Sequence, residues 1–238
     1  MRRSTLSNRS NGFSLVELAI VLVIVALLTS GLLLGISAQR NAAENIDAQR
    51  QLENIREALL GYAMVNGRLP CPANPLIATI NGAGNEELTC SPDCTCSLEY
   101  GSIPWSTLGL PENDPWNSRF TYFVGREFSN PITQAEKNIG IRVRFTLDTE
   151  GRANIEDGLG NKIASKVPAV IVSHGSRNAG AYQSSGNQIG GATGNEQENA
   201  NSTLTFVSHT PSDSFDDLLI WISPSILKSK MVAAGRLP

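Results

Sequence analysis

The stretch FSLVELAIVLVIVALLTSGLLLGI, residues 13–36, carries one charge, Glu17, in 24 residues. From Leu18 to Ile36 it is uncharged, nineteen residues or about 28 Å of helix at roughly 1.5 Å per residue. That is close to the ~30 Å hydrocarbon thickness of a bilayer, so the segment is predicted to span one. Ahead of it, residues 1–12 (MRRSTLSNRSNG) are polar, with Arg2, Arg3 and Arg9 and no acidic residue. The excess of positive charge keeps this leader in the cytoplasm and places everything after Ile36 outside. A cleavable secretory signal has a shorter apolar core, about 7–15 residues, followed by a small-residue cleavage site. Here the core is too long and Gly35-x-Ser37 is a poor site, so the helix is expected to be retained.

The helix is predicted to run past the membrane surface. Residues 37–66 contain no proline and are rich in Ala, Gln, Glu and Arg. Ile46, Leu52, Ile55, Leu59, Tyr62 and Ala63 form one apolar stripe at mostly three- and four-residue spacings. Asn66-Gly67, with Pro70 beyond, supplies a stop. Phe13 to Asn66 would make one helix of about 80 Å. Beyond Gly67, prolines, cysteines and a Gly/Asn-rich stretch read as loop to about Ser102. Strand-like runs follow at 119–124, 141–147, 169–173, 204–208 and 218–222. Residues 175–202 hold almost no large apolar side chain and read as a long exposed loop. Pro224 opens a short tail helix with Ile226, Leu227 and Met231 expected on one face. The tetrapeptide GRLP occurs at 67–70 and again at 235–238, too little to establish a repeat.

The junction of leader and helix reads Gly12-Phe13-Ser14-Leu15-Val16-Glu17. A glycine before a scissile bond lets a protease approach the backbone closely. Cutting on the cytoplasmic side of the apolar run keeps the helix and creates a cationic amine at Phe13. Glu17 lies four residues on, about one helical turn. A carboxylate in an apolar helix costs of order 2.5–3.5 kcal/mol near mid-bilayer, so it is expected to find a cation. A basic leader, Gly12, Phe13 and Glu17 before a long apolar helix together closely resemble the signal of type IV prepilins and type II secretion pseudopilins. The resemblance implies cleavage after Gly12 and methylation of Phe13 by a membrane prepilin peptidase/methyltransferase, and assembly into a filament in which Glu17 pairs with a neighbour's amine. Gly31-x-x-x-Gly35 would allow close helix packing in lipid. Further on, Asp114-Pro-Trp-Asn117 before Phe120-Thr-Tyr-Phe123 looks like the DPWG…Y pattern of major pseudopilins, with Asn117 in place of the glycine.

The expected fold is α+β and pilin-like: a long N-terminal helix, its first half transmembrane, packed on a small antiparallel sheet. The expected organisation is a leader at 1–12, a membrane helix at 13–36, its amphipathic continuation at 37–66 and an extracytoplasmic domain at 67–238. The chain is read as a minor pilin or pseudopilin. Its expected partners are the prepilin peptidase, other pilin subunits and the inner membrane, with the globular domain periplasmic. The competing reading is a single-pass, membrane-anchored periplasmic binding domain or enzyme.

Four cysteines, Cys71, Cys90, Cys94 and Cys96, fit disulfides in an oxidising compartment. Cys94 and Cys96 are too close to pair without strain, so one is expected to bond Cys71 and the other Cys90. The resemblance also implies a calcium ion held by the C-terminal loops, for which Asp213, Asp216 and Asp217, with Glu196 and Glu198, could supply oxygens. No EF-hand spacing occurs, a solvated acidic loop is the favoured reading, and no other cofactor is expected. Ser173-His174-Gly175-Ser176 lacks the Gly-x-Ser-x-Gly elbow of a hydrolase. No P-loop, dinucleotide fingerprint or HExxH is present. The formal net charge is −3, and no basic face follows the leader, so nucleic acid is not an expected partner.

Overall fold

The computed structural model describes residues 14–238 and, for residues 29–38, the backbone alone. The predicted cut at Gly12–Phe13 lies outside the described residues. The chain divides after Ala43 into two compact units, and helix α1 (Leu15–Asn66) begins in the first.

In the first unit Ser14 occupies the cap position of α1. Its Oγ accepts from Val16 N–H at 3.3 Å, and its own N–H donates to Glu17 Oε2 at 3.0 Å. Both bonds satisfy donors that the first helical turn leaves without partners. Leu15, Val16, Leu18, Ile20, Leu22, Ile24 and Leu27 are all exposed, so the helix is apolar around its circumference here. Among the described residues no helix is long and apolar enough to cross a membrane. The predicted span from Leu18 to Ile36 runs into residues 29–38, whose side chains lie outside the description, as does the environment of Gly31 and Gly35.

The second unit is built on the rest of α1. Ala48, Leu52, Ile55, Leu59, Leu60 and Ala63 are buried, four of them foreseen as a stripe. Ile46 is a correction: it is 51% exposed, while Ala48, two residues on, carries the contact instead. Two residues are about 200° of helical turn, so the two cannot share a face. The remaining elements, in chain order, are β1 (Leu88–Cys90), β2 (Cys94–Cys96), β3 (Tyr100–Ser102), α2 (Trp105–Leu108), β4 (Thr121–Val124), α3 (Arg126–Ser129) and α4 (Gln134–Asn138). They continue with β5 (Ala153–Glu156), β6 (Lys162–Val167), β7 (Ala169–Ser173), α5 (Asn195–Ala200), β8 (Thr205–Val207), β9 (Leu218–Ile222) and α6 (Pro224–Ala233).

These elements stack in three layers. The central sheet is antiparallel, in the order β3-β4-β7-β9. Tyr122, Val124, Ala169, Ile171 and Ile222 join α1 and α6 in one core. Their neighbours Phe123, Val170 and Val172 point the other way, onto Ala153, Ile155 and Phe206 of the second sheet. This alternation is the two-residue period of a strand buried on both sides, and it explains why β7 reads as a continuous apolar run. The second sheet, in the order β6-β5-β8, is mixed, because β8 pairs parallel to β5. The expected α+β arrangement of a helix on antiparallel sheet is present, with this mixed sheet and the β1–β2 hairpin added.

Three local readings are corrected. Residues 141–147 form no strand. Phe145 is buried against Phe128, with ring centroids 5.0 Å apart, but Arg144 spends its backbone N–H on Gly67 O, outside any ladder. The glycine-rich stretch after His174 is tied down rather than exposed throughout: Ala181 is fully buried, Tyr182 bridges Arg119 and Gln188, and α5 follows. In α6, Leu227 and Met231 are buried one turn apart, whereas Ile226 is exposed.

The segment from Gly67 to Ser102, expected as loop, carries β1, β2 and β3 and is held by polar and covalent ties. Arg68 Nη1 donates to Glu86 Oε2 at 2.6 Å, and Glu86 also receives Tyr62 Oη at 2.5 Å and Cys71 N–H at 2.8 Å. Cys71 is bonded to Cys96 beneath the surface, and Cys90 to Cys94 across the β1–β2 hairpin. The fully buried guanidinium of Arg119 donates to Glu112 Oε1 at 2.9 Å and to the Pro75 and Ile77 carbonyls at 2.8 and 2.9 Å.

Candidate functional site

Two regions carry chemistry. At the start of α1, Glu17 is described and serves as a local cap, while Gly12 and Phe13 lie outside the described residues. Ser14 and Glu17 are spaced as Ser-x-x-Glu, the signature of a capping box. The motif therefore specifies where the helix starts as well as where a carboxylate sits.

The second region lies at the end of the central sheet. The chain leaves β7 through His174 and Gly175, and it enters β9 through Asp216 and Asp217. Gly175 has φ 60°, and a Cβ there would meet the Asp216 carbonyl oxygen at 2.3 Å, so the two crossings touch through backbone. The first turn of α5 adds Glu196. Glu196, Asp216 and Asp217 each offer one carboxylate oxygen within 4.8 Å of the others. Glu196 and Asp217 are buried. Burial pushes the Glu196 carboxyl above its usual range, the Asp216 N–H and Arg177 oppose this, and the Asp217 charge adds to it.

Each carboxylate already has partners. Asp216 Oδ2 accepts from Ser176 Oγ at 2.9 Å and from the Arg177 N–H at 2.8 Å. Glu196 Oε1 accepts from the Asp216 N–H at 3.2 Å and from Arg177 Nη2. Asp217 Oδ2 accepts from Asn199 Nδ2 at 2.8 Å, and Asn199 also fixes the β8 backbone at Val207 through both of its amide atoms. Of the residues predicted from sequence, Glu196, Asp216 and Asp217 are brought together. Asp213 is exposed and gives only its backbone oxygen, to Arg177 Nη1 at 2.8 Å. Glu198 turns away, to Asn201 and Thr203.

Behind the cluster, His174 is fully buried, with Nε2 2.9 Å from Thr121 Oγ1 and Nδ1 3.5 Å from Asp217 Oδ1. Ser173 Oγ donates to Asp114 Oδ2 at 2.6 Å, and burial raises the Asp114 carboxyl against the hydrogen bonds it receives. A hydroxyl, an imidazole and a carboxylate in line have the order of a hydrolytic triad. Thr121, His174 and Asp217 are nevertheless all buried, so the line joins β4, β7 and β9 inside the domain and presents no nucleophile at the surface. Sequence reading missed Arg177, His174 and Asn199 as members of this network. Arg177 and Asn199 lie in the stretch 175–202, poor in large apolar residues, which reads as solvated loop, and His174 directly follows the apolar run of β7.

Comparison with known proteins adds two findings. Residues 7–33 match the family described as the prokaryotic N-terminal methylation motif. The chain is also similar to the type II secretion system core protein G of Aeromonas hydrophila. The two are 26% identical over 153 residues, which is 64% of this chain and 92% of that protein. No solved structure is matched. The resemblance to pilins and pseudopilins therefore holds at the motif around Gly12–Glu17 and extends beyond it.

Proposed function

We propose that this chain is a structural subunit, a minor pilin or pseudopilin, of a type IV pilus or type II secretion filament. The observation that supports this most directly is the methylation-motif match over residues 7–33, which spans Gly12, Phe13 and Glu17. The fold is compatible with it: α1 starts at Leu15, two residues past the proposed cut, and exposes apolar side chains all round. In this reading residues 1–12 are the leader removed by the prepilin peptidase, and residues 13–36 cross the inner membrane. The helix continues to Asn66, and residues 67–238 form the periplasmic domain. Methylated Phe13 is the first residue of the mature protein, and other pilin or pseudopilin subunits are its partners.

Glu17 then has two roles, which one substitution separates. As a cap it accepts the Ser14 N–H at 3.0 Å, which a glutamine oxygen also does. As a charge it compensates the amine that cleavage creates on a neighbouring subunit, which glutamine cannot do. Glu17→Gln is expected to insert, to be cleaved after Gly12 and to accumulate in the membrane like the parent, while its yield in sheared filaments falls at least tenfold. Equal incorporation at equal membrane abundance would remove the assembly role and leave Glu17 as a cap alone.

A further inference from the structure

The acidic cluster at the end of the central sheet invites a divalent ion, and the resemblance implies one in the C-terminal loops. Calcium takes roughly six to eight oxygens and tolerates several carboxylates at once. Three carboxylates close together, two of them buried, are costly unless some cation balances them.

That cation is already part of the chain. Arg177 Nη2 bonds Glu196 Oε1, Nε faces Asp216 Oδ1 at 3.4 Å, and Nη1 holds the Asp213 carbonyl at 2.8 Å. Its backbone N–H adds a bond to Asp216 Oδ2 at 2.8 Å. One residue thus ties the turn after β7 to α5 and to the strand entry before β9. The third carboxylate, Asp217, is satisfied on one oxygen by Asn199 and faces His174 with the other. A divalent ion reaching the oxygens that accept no hydrogen bond, Asp216 Oδ1 and Asp217 Oδ1, would have to sit beside the guanidinium, against like charge. The donors and the arginine do not fit a second cation at the same time.

We propose that Arg177 is the resident cation of this cluster, and that its guanidinium, rather than a bound divalent ion, closes the C-terminal loops of this chain. A guanidinium has the right chemistry for this place. It is planar, always charged, and carries donors in a fixed fork that reaches two carboxylates and a carbonyl together. The consequence is a domain whose stability does not depend on calcium.

The test is thermal unfolding of the full mature chain in detergent, with excess EGTA or with millimolar calcium, for the parent and for Arg177→Ala. The parent is expected to melt at the same temperature in both buffers. Arg177→Ala is expected to melt at least about 5 °C lower in EGTA, because it leaves the buried Glu196 and the half-buried Asp216 without their cation. A parent midpoint that falls on chelation and returns with calcium would overturn the proposal, and this arm needs no variant to fold. An Arg177→Ala midpoint equal to the parent's in EGTA would overturn it too.

Discussion

Asn117 lies in the left-handed region at φ 65°, in the turn between Asp114 and Arg119. Asparagine enters this region more readily than other side chains that carry a Cβ. It keeps the turn that Asp114 builds by accepting the N–H groups of Trp116 and Ser118, each at 3.0 Å. The pseudopilin pattern has glycine here, so the substitution preserves the backbone conformation. Asn117→Gly is therefore expected to stay within about 1 kcal/mol of the parent in urea unfolding, and Asn117→Val to lose about 1–2 kcal/mol. A valine variant as stable as the glycine variant would show that the turn relaxes out of this conformation. The residue scale also shows what a single sequence hides. His174 is a lone histidine among small residues, and nothing local in the sequence marks it as the buried link between Thr121 and Asp217.

At the scale of elements, the tetrapeptide GRLP turns out to be one device used twice. Gly67 ends α1 at φ 71° and Gly235 ends α6 at φ 66°, each followed by an arginine and a buried leucine, Leu69 or Leu237. This is the left-handed helix stop with its hydrophobic contact. The second copy serves the first, since Arg236 donates through Nε and Nη2 to the Met64 and Val65 carbonyls at the end of α1. The two glycines differ in their surroundings. A Cβ on Gly67 would meet the Arg142 carbonyl oxygen at 2.1 Å, whereas on Gly235 it meets nothing within 4 Å. Gly235→Ala is expected to cost about 1 kcal/mol and Gly67→Ala about 3 kcal/mol or more, read from denaturant midpoints. Equal costs would mean that the approach of Arg142 is not a constraint. The helix stops and the strands at β4, β7, β8 and β9 were legible because turn residues bracket apolar runs there. β5 and β6 were not: β6 is mostly exposed and carries Lys162 and Lys166, as an edge strand does, so it shows no apolar face. Residues 141–147 show the reverse case, an alternating pattern without a neighbour to pair with, and a pattern alone supplies no partner.

At the scale of the whole molecule, the long helix, its stop and the α+β class could be read from the sequence, because each rests on a local pattern of charge or period. The layering could not. Which face of β4 and β7 meets α1 and which meets the second sheet is decided by strands far apart in the chain, β5 and β8 among them. The acidic cluster was partly legible: Glu196, Asp216 and Asp217 were all named from the sequence as oxygen donors, while Arg177, from the turn after β7, was not. Processing at Gly12–Phe13 into a filament subunit is the step on which the proposed function rests. Its most direct test is the intact mass and N-terminal peptide of the protein recovered from membranes of cells that carry a prepilin peptidase. A processed filament subunit is expected to be recovered as a chain that begins at Phe13 with a methylated amine. A chain that still begins at Met1 in those membranes would contradict it.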